Sequence, residues 1–323
     1  MFGLVRYVNI CIQQAASEGI HPVTNAKKFL LGVLAAGLIA ALLLTAWAWR
    51  RANRHQPPEP SAFSLQLATQ MAGATFRAPG LHLDLPYRLY APEPQKPGRR
   101  YPLIVYLHGA GDNGNDNVRQ LGPLVAQLIQ QAKSTEPAFI LAPQSPLGKT
   151  WVPVPGAPYL NYSQQALPES EAIQTTRALV AQLPGRYPID PQRVYLLGFS
   201  AGSAGSWDLL TRSPGHPYAA AAMLSGAYDP SRAATVAGLP LWFFHGEKDQ
   251  VSPYSTTLET VQALRQAGGS PRYTLVEGGG HDTNEAAVQA GVYAWLLSQR
   301  RAAVNTPTTT APQSPAPLSR APA

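Results

Sequence analysis

The stretch VYLLGFSAGSAG, at residues 194–205, constrains the fold more than any other part of this sequence. Its first half is the uninterrupted apolar and β-branched run of a strand that is buried on both faces. Its second half holds only small residues, which let a helix begin at once and pack close to that strand. Gly198, Ser200 and Gly202 match the pattern G-x-S-x-G, in which a strand-to-helix turn presents the serine. The stretch therefore predicts a strand, a sharp turn at Ser200 and a helix.

Strand-like and helix-like segments alternate along most of the chain. Apolar or alternating runs predict strands at residues 86–92, 101–109, 138–144, 193–200, 218–226, 241–246 and 272–278. Apolar residues at helical spacing predict helices at residues 117–131, 169–183, 201–212, 255–267 and 285–299. This alternation predicts an α/β fold with a mostly parallel sheet flanked by helices. Reactive residues are then expected on the loops that follow the carboxyl ends of the strands.

One long apolar segment without a charge, residues 29–49, precedes the alternating pattern. As a helix it would span roughly 31 Å, which is close to the thickness of a bilayer core. We interpret it as an N-terminal transmembrane helix, the signal anchor of a single-pass membrane protein. The alternative is a cleaved signal peptide and secretion, because the AWA at residues 46–48 resembles a cleavage site. Against cleavage, the run is long and 28 residues precede it.

The composition of the remaining segments completes the domain organisation. The predicted parts are an N-terminal segment (1–28), the transmembrane helix (29–49), a linker (50–74), the main α/β domain (75–300) and a disordered Pro/Thr-rich tail (301–323). Such a tail cannot build a core, and it is more typical of proteins outside the cytoplasm. The basic residues beside the apolar segment slightly favour a cytoplasmic location for the main domain. Because of the composition of the tail, we nevertheless expect the main domain to lie on the extracytoplasmic, periplasmic side.

The net charge of +7 belongs to the two ends of the chain. Residues 61–299 carry sixteen basic and sixteen acidic side chains, so the predicted fold is neutral as a whole. A neutral fold gives no support to nucleic-acid binding. The single cysteine, Cys11, lies upstream of that fold, where it can supply neither a disulfide, a zinc ligand nor a nucleophile. We expect no metal and no organic cofactor.

If Ser200 is a nucleophile, it needs a base, because a serine hydroxyl reacts poorly at neutral pH. Histidine has the proton affinity for that task, and the chain has seven histidines. Two flank the apolar segment and two lie in loops, while His108 and His245 precede a glycine at a strand end, where histidine more often shapes the backbone. His281 remains, in EGGGHDTN just after the last predicted strand. A glycine-rich loop would let its imidazole return over the sheet.

The acid that orients this histidine has two candidates. Asp249, in HGEKDQVSP, follows the strand 241–246. Asp229 follows the preceding strand and is the runner-up. Asp282 is adjacent to His281 and would point away from it into solvent. With Asp249, the order serine, acid, histidine suits an α/β-hydrolase sheet and neither of the common serine-protease orders.

A second glycine-rich loop, LHGAGDNGND at residues 107–116, follows a buried strand. Glycine leaves backbone N–H groups free to face a ligand, although a flexible turn would also explain the composition. On this plan one oxyanion donor is the N–H after the nucleophile, which belongs to Ala201. The second would come from the upstream loop, at Ala110 or alternatively at Gly109.

These motifs together resemble the α/β-hydrolase superfamily over roughly residues 75–300. More narrowly, the chain resembles the phospholipase/carboxylesterase and predicted-peptidase group, which is related to dienelactone hydrolase and polyhydroxybutyrate-type esterases. The resemblance rests on YPLIVYLHGAGDNGNDN, FILAPQSP…W, YPIDPQRVYLLGFSAGS, LWFFHGEKDQVSP and YTLVEGGGHD. It implies a triad of Ser200, Asp249 and His281. Ser203 stands where many relatives have a second glycine after the elbow, a small-for-small change.

The expected function is hydrolysis of carboxylic esters by a serine hydrolase, through an acyl-enzyme. Only a short connection joins the strands 218–226 and 241–246, so no large lid domain fits, and an open groove suits small or extended esters. Aromatic residues of the Pro-rich stretch before 169 are candidates for its walls, although they could equally cover the sheet: Trp151, Tyr159 and Tyr162. The alternatives are a peptidase of the prolyl-oligopeptidase-like type and a non-catalytic envelope binding module on the same fold.

Overall fold

A computed structural model describes residues 37, 40, 41, 43–45, 59–154 and 162–301 of the 323-residue chain. The chain divides into two compact units, residues 1–59 and 60–323. The described residues between 37 and 45 are helical. Within the described part, no helix has both the length and the apolar character needed to cross a membrane. Most of the predicted anchor at 29–49 and the predicted tail after residue 301 lie outside the described residues.

The second unit is built on an eight-stranded sheet. Its strands are β1 (Ala72–Phe76), β2 (Leu85–Tyr90), β3 (Tyr101–Leu107), β4 (Phe139–Pro143), β5 (Ile189–Phe199), β6 (Tyr218–Leu224), β7 (Leu241–Gly246) and β8 (Arg272–Val276). The spatial order is β1-β2-β4-β3-β5-β6-β7-β8. The pairs β1–β2 and β2–β4 are antiparallel, and all other neighbours are parallel. The prediction of a mostly parallel sheet is confirmed.

Helices cover both faces of the sheet. They are α1 (Ala62–Ala68), α2 (Pro123–Ser134), α3 (Glu171–Gln182), α4 (Ala201–Thr211), α5 (Tyr254–Gln266), α6 (Asn284–Gln289) and α7 (Val292–Ser298), with 3₁₀ turns at Ala110–Asp112, Leu183–Gly185 and Pro230–Val236. Helices α3, α4 and α5 pack on one face, and α1, α2, α6 and α7 on the other. Along β3, Leu103 and Val105 point into the first layer while Ile104 points into the second. Burial on both faces explains why this strand is apolar without alternation.

Three boundaries differ from the sequence prediction. Helix α2 begins at Pro123 rather than 117, because a proline at the first helical position fits only a helix start. The predicted helix 285–299 is two helices, since Gly291 between them has a φ of +79° that breaks the helical path. The fold begins at residue 60 rather than 75, so the predicted linker 50–74 is wrong over α1 and the first part of β1. Ser61 caps α1 through its side chain.

The segment that carries G-x-S-x-G becomes β5, a single-residue turn and α4, in agreement with the prediction. Helix α4 lies so close to β3 that a Cβ at Gly202 would stand 2.0 Å from the Leu107 carbonyl oxygen. A Cβ at Gly198 would stand 2.5 Å from the carbonyl oxygen of Gly202. Neither glycine is required by a positive φ. Both are required by the closeness of the helix to the sheet.

We therefore expect Gly202→Ala to destabilise the fold by at least about 2 kcal/mol, because the obstacle is backbone that cannot rotate away. The measurement is the free energy of unfolding in urea. Gly238→Ala is the matched control, since a Cβ there meets nothing within 4 Å. The control should stay within about 1 kcal/mol of the wild type. Equal stability of the two variants would contradict the close approach.

Candidate active site

Ser200 occupies the turn between β5 and α4 in a conformation that few residues adopt. Its φ is +54° and its ψ is −121°, and for a residue with a side chain this backbone conformation is strained. The turn is held by a hydrogen bond from the Ser200 N–H to the Leu224 carbonyl at 2.8 Å. The side chain of Ser200 is thereby lifted away from β5 at the carboxyl edge of the sheet.

The structure brings Ser200, His281 and Asp249 together. The Ser200 Oγ lies 2.8 Å from Nε2 of His281, and Nδ1 of His281 lies 2.7 Å from Oδ2 of Asp249. The carboxylate cannot donate, so Nδ1–H donates to it and Nε2 is left to accept the serine proton. The imidazole also packs against the ring of Phe199, with ring centroids 5.3 Å apart.

Glycine lets the histidine loop reach the serine. A Cβ at Gly246, the last residue of β7, would stand 2.0 Å from the Gly280 carbonyl oxygen. The two loops are also tied by a hydrogen bond from the Lys248 N–H to the Gly279 carbonyl, at 2.8 Å. The close contact between the loop of His281 and the loop that carries Asp249 therefore requires a glycine at position 246.

Asp249 is buried, and its carboxylate accepts three hydrogen bonds and has a further ring nitrogen close by. The N–H groups of Val251 and Ser252 donate to its Oδ1 at 2.8 and 2.9 Å. Its Oδ2 receives His281 Nδ1 and lies 3.1 Å from Nε2 of His245. The side chain of Asp249 is fully shielded from solvent, whereas that of His281 is 22% exposed. Buried carboxylates are stable when they are paired in this way.

The two other aspartates considered from sequence lie elsewhere. Asp229 caps the 3₁₀ turn after it, accepting from the backbone and hydroxyl of Ser231 through Oδ1. Its Oδ2 accepts from the Gln164 N–H at 2.8 Å. Asp282 is exposed and accepts a hydrogen bond from the Asn284 N–H at 2.9 Å. Neither carboxylate has a hydrogen bond to His281.

The residues predicted to supply the oxyanion donors lie near the serine: Ala201 follows it directly, and Ala110 belongs to the loop after β3. A Cβ at Gly109 would lie 3.5 Å from the Ser200 Cβ, so the loop after β3 runs beside the nucleophile. Among the described residues, no acceptor is recorded for the backbone N–H of Ala110 or of Ala201. Free donors of this kind beside a nucleophile can stabilise a developing oxyanion.

His108 fixes the shape of this loop. Its Nδ1–H donates to the Gly109 carbonyl at 2.7 Å, and its Nε2 accepts from the Ser145 N–H at 2.9 Å. Its carbonyl accepts from Nε1 of Trp151 at 2.9 Å. Burial lowers the pKa of His108 to about 4, so the ring is neutral and satisfied at neutral pH. The sequence prediction that this histidine shapes the backbone agrees with these contacts.

A small, mostly apolar cavity opens beside Ser200. Its volume is about 20 Å³, and it is lined by Thr150, Val152, Val154, Tyr162, Ser200, Ala201, Ala204, Ser225, Ala227 and Ser252. Tyr162, a candidate wall residue from the sequence, is among these lining residues, and its hydroxyl hydrogen bonds to the buried Asp208. Trp151 is not a wall residue. It is fully buried under the loop of His108 and packs against Gly205. The third candidate, Tyr159, lies outside the described residues.

Several neighbours of the site were not predicted from sequence. Ser225 and Ser252 line the cavity, and Ser252 belongs to the motif HGEKDQVSP, in which only the histidine and the aspartate were singled out from sequence. Ser225 also has a φ of +48°, which is rare for serine and occurs at functional sites. His245 was assigned only a backbone role, yet it lies beside Asp249. The available signal was its spacing, four residues before that aspartate. Within the described residues, no group of three or more His, Cys, Asp or Glu side chains forms a metal site.

Comparison with known proteins decides the family. The sequence matches the phospholipase/carboxylesterase family over residues 93–293, more than half of the chain. The chain belongs to this family. The resemblance to α/β-hydrolases of the phospholipase/carboxylesterase group is confirmed.

Several proteins that are similar to this chain carry the name esterase. NocK of Nocardia uniformis subsp. tsuyamanensis is 26% identical over 210 residues, 57% of this chain and 57% of NocK. A solved thermostable esterase is 30% identical with a TM-score of 0.63, covering 73% of this chain and 64% of the esterase. Both matches therefore span less than two thirds of the relative. Thermogutta terrifontis esterase 2, phosphorylated by paraoxon, is 18% identical with a TM-score of 0.51, over 72% of this chain and 96% of that protein, and shows the fold alone.

The loop after β3 also contains Asp112, a carboxyl group whose pKa is shifted from its ordinary value. Burial raises the pKa of Asp112 to about 6, with Asp116 adding to the rise and Arg119 opposing it. Burial acts on Asp116 too, but hydrogen bonds from Arg119, Val118 and Gln144 outweigh it and lower the pKa of that carboxyl. The ionised form of Asp112 is therefore unfavourable in the folded protein.

We expect Asp112→Asn to stabilise the protein by about 2–3 kcal/mol at about pH 7.5. Because the folded-state pKa is raised, the penalty of ionised Asp112 is absent below the unfolded value of 3.8 and complete above about 6. The gain should therefore disappear near pH 3.5, as measured by urea unfolding at both pH values. Asp116→Asn should act in the opposite direction, destabilising at neutral pH and less so in acid. A gain that does not depend on pH would contradict the burial of the Asp112 charge.

Proposed function

We propose that this protein is a serine hydrolase that cleaves carboxylic esters through a triad of Ser200, His281 and Asp249 and a covalent acyl-enzyme. The observation that carries the proposal is the continuous hydrogen-bonded series from the serine hydroxyl through the imidazole to the buried carboxylate, at 2.8 and 2.7 Å. Its members come from three separate loops. Membership in the phospholipase/carboxylesterase family supports the same chemistry.

The first half of the reaction forms the acyl-enzyme. His281 Nε2 takes the proton of Ser200 as Oγ attacks the ester carbonyl, and Asp249 stabilises the imidazolium that results. The oxyanion accepts hydrogen bonds from the N–H of Ala201 and of Ala110, with Gly109 as the alternative second donor. The imidazolium then gives its proton to the leaving alkoxide. Water, deprotonated by the same imidazole, releases the acid in the second half.

The substrate proposed is an ester with a small acyl group or an extended chain. The cavity beside Ser200 has room for only a few atoms and offers apolar walls such as Val152, Val154 and Tyr162. The connection between β6 and β7 contains one 3₁₀ turn, Pro230–Val236. It provides no domain that would enclose a long lipid chain. No cofactor enters this mechanism, and no nucleic acid is an expected partner.

We further propose that the N-terminal segment 29–49 anchors the hydrolase in a membrane, with the catalytic domain on the extracytoplasmic side. The support is the uncharged apolar run and the Pro/Thr-rich composition of the C-terminal end. Fractionation of cells that produce the full chain would test this, with protease added to intact spheroplasts. A protected or freely soluble catalytic domain would contradict the proposal.

The activity is tested with a fluorophosphonate probe and chromogenic substrates. The folded wild type should be labelled once, and Ser200→Ala should not be labelled, because only an activated serine reacts with the probe. p-Nitrophenyl acetate and butyrate should be hydrolysed faster than the octanoate. Faster cleavage of peptide anilides than of esters would instead indicate the peptidase. Absence of labelling in a folded wild type would indicate the binding module.

The choice of acid is tested by a matched pair of variants. Asp249→Asn should lower kcat by about 10⁴-fold, because an amide neither stabilises the imidazolium nor fixes the tautomer. Asp229→Asn should keep kcat within about threefold of the wild type, since Asp229 holds a turn and not His281. The measurement is steady-state hydrolysis of p-nitrophenyl acetate. A larger loss in Asp229→Asn would reverse the assignment.

A further inference from the structure

We propose that His245 is a positioning residue for the triad: it donates a hydrogen bond to Asp249 and holds that carboxylate in place for His281. The inference rests on the proposed serine hydrolase function. It gives a role to a second histidine that never touches the substrate. His245 is fully buried at the end of β7 and does not line the cavity beside Ser200.

The contacts of the two ring nitrogens determine where the proton of His245 lies. Nε2 faces two atoms that can only accept, the Ser252 carbonyl at 2.6 Å and Oδ2 of Asp249 at 3.1 Å. Nδ1 faces the hydroxyl of Thr257 at 2.7 Å, which can donate. Nε2 therefore carries the hydrogen: it donates to the nearer Ser252 carbonyl and lies within reach of the carboxylate, while Nδ1 accepts from Thr257.

The ring is neutral when it makes these contacts. Burial is the largest influence on the pKa of His245 and lowers it, against the opposing effects of the Ser252 carbonyl and of Asp249. A charged imidazolium here would compete with His281 for the negative charge of Asp249. A neutral ring supplies a directed hydrogen bond and leaves that charge available to His281.

The contacts of the two Asp249 carboxylate oxygens explain what His245 contributes to the triad. Oδ1 of Asp249 is fixed by the two backbone N–H groups of its own loop. Among the residues that the structure describes, Oδ2 would otherwise be held by His281 alone, the group that it must orient. The hydrogen bond from His245 gives Oδ2 a support that does not move with the catalytic imidazole. The same N–H also closes the loop through Ser252, so one donor places both the carboxylate and its loop.

The test compares two amide replacements. The Nδ2 of asparagine can replace Nδ1 of histidine but does not reach the position of Nε2, whereas the Nε2 of glutamine does. His245→Asn should lower kcat by about 10- to 100-fold, the effect of one hydrogen bond to a charged group, with KM within twofold of the wild type. His245→Gln should recover kcat to within a few-fold. Equal losses in the two variants would overturn the proposal.

A double-mutant cycle separates positioning from general loss of structure. If His245 acts through the carboxylate, His245→Asn should cost less than about threefold in the Asp249→Asn background. The same fold-loss in both backgrounds would show that His245 only supports the fold. Circular dichroism and the unfolding midpoint establish the folded fraction used in each comparison.

A second pair of variants avoids changing the histidine. Thr257→Val removes the hydroxyl that faces Nδ1, whereas Thr260→Val removes a buried hydroxyl of the same helix that bonds only to the Thr256 carbonyl. We expect a several-fold loss of kcat in the first and none in the second. Equal effects would count against the proposal. Failure of the serine mechanism would appear separately, because Ser200→Ala would then keep full activity. If Ser200→Ala is inactive but His245→Asn keeps the wild-type kcat, only the role of His245 is refuted.

Discussion

The closeness of helix α4 to the central strands is the constraint on which the site depends. Gly202 allows the first turn of the helix to lie against the carbonyl group of Leu107, and Gly198 leaves space for the carbonyl group of Gly202. With the helix this near, the chain can pass from β5 into α4 only through a residue with a positive φ. Ser200 accepts that strain, and its hydroxyl is raised above the sheet. The position of the serine is a consequence of backbone packing rather than of contacts made by its side chain.

Three loops at the carboxyl edge of the sheet are each held by a buried polar side chain at or after a strand end. His108 fixes the glycine-rich loop after β3, and His245 closes the loop after β7 through the Ser252 carbonyl. Asp229 caps the turn after β6. Burial lowers the pKa of both histidines, so each is a neutral donor and acceptor of fixed tautomer. Fixed hydrogen bonds therefore hold these three loops in place around the site, which is what a preorganised site requires.

Prediction from the sequence succeeded where a structural requirement restricts a position to one class of residue. Buried parallel strands must be apolar, so β3 to β7 could be predicted, and the serine, the acid and the base could be assigned from loops that follow such strands. Prediction failed where tertiary contacts decide. β1 is a short run of small residues whose pairing with β2 makes it a strand. Trp151 could be expected in a pocket wall, but its indole N–H bonds to the carbonyl group of His108 beneath the loop. No local pattern distinguishes these outcomes.

The carboxylate of the triad is fully shielded from solvent whereas the imidazole is partly exposed, and this difference matches the chemical role proposed for each. The carboxylate of Asp249 is fully shielded from solvent, and hydrogen bonds from Val251, Ser252 and His281 take the place of water there, so that a fixed environment costs no reorganisation during the reaction. His281 is partly exposed, so its imidazole can pass a proton to a leaving group or receive one from an attacking water. Ser200 lies between this imidazole and the apolar cavity, where the acyl group would shed its water. A charge that stays in place is buried, and groups that exchange protons face the substrate side. The hydrogen bond from His245 fits this division, because a neutral buried donor can steady the carboxylate without carrying a proton to solvent.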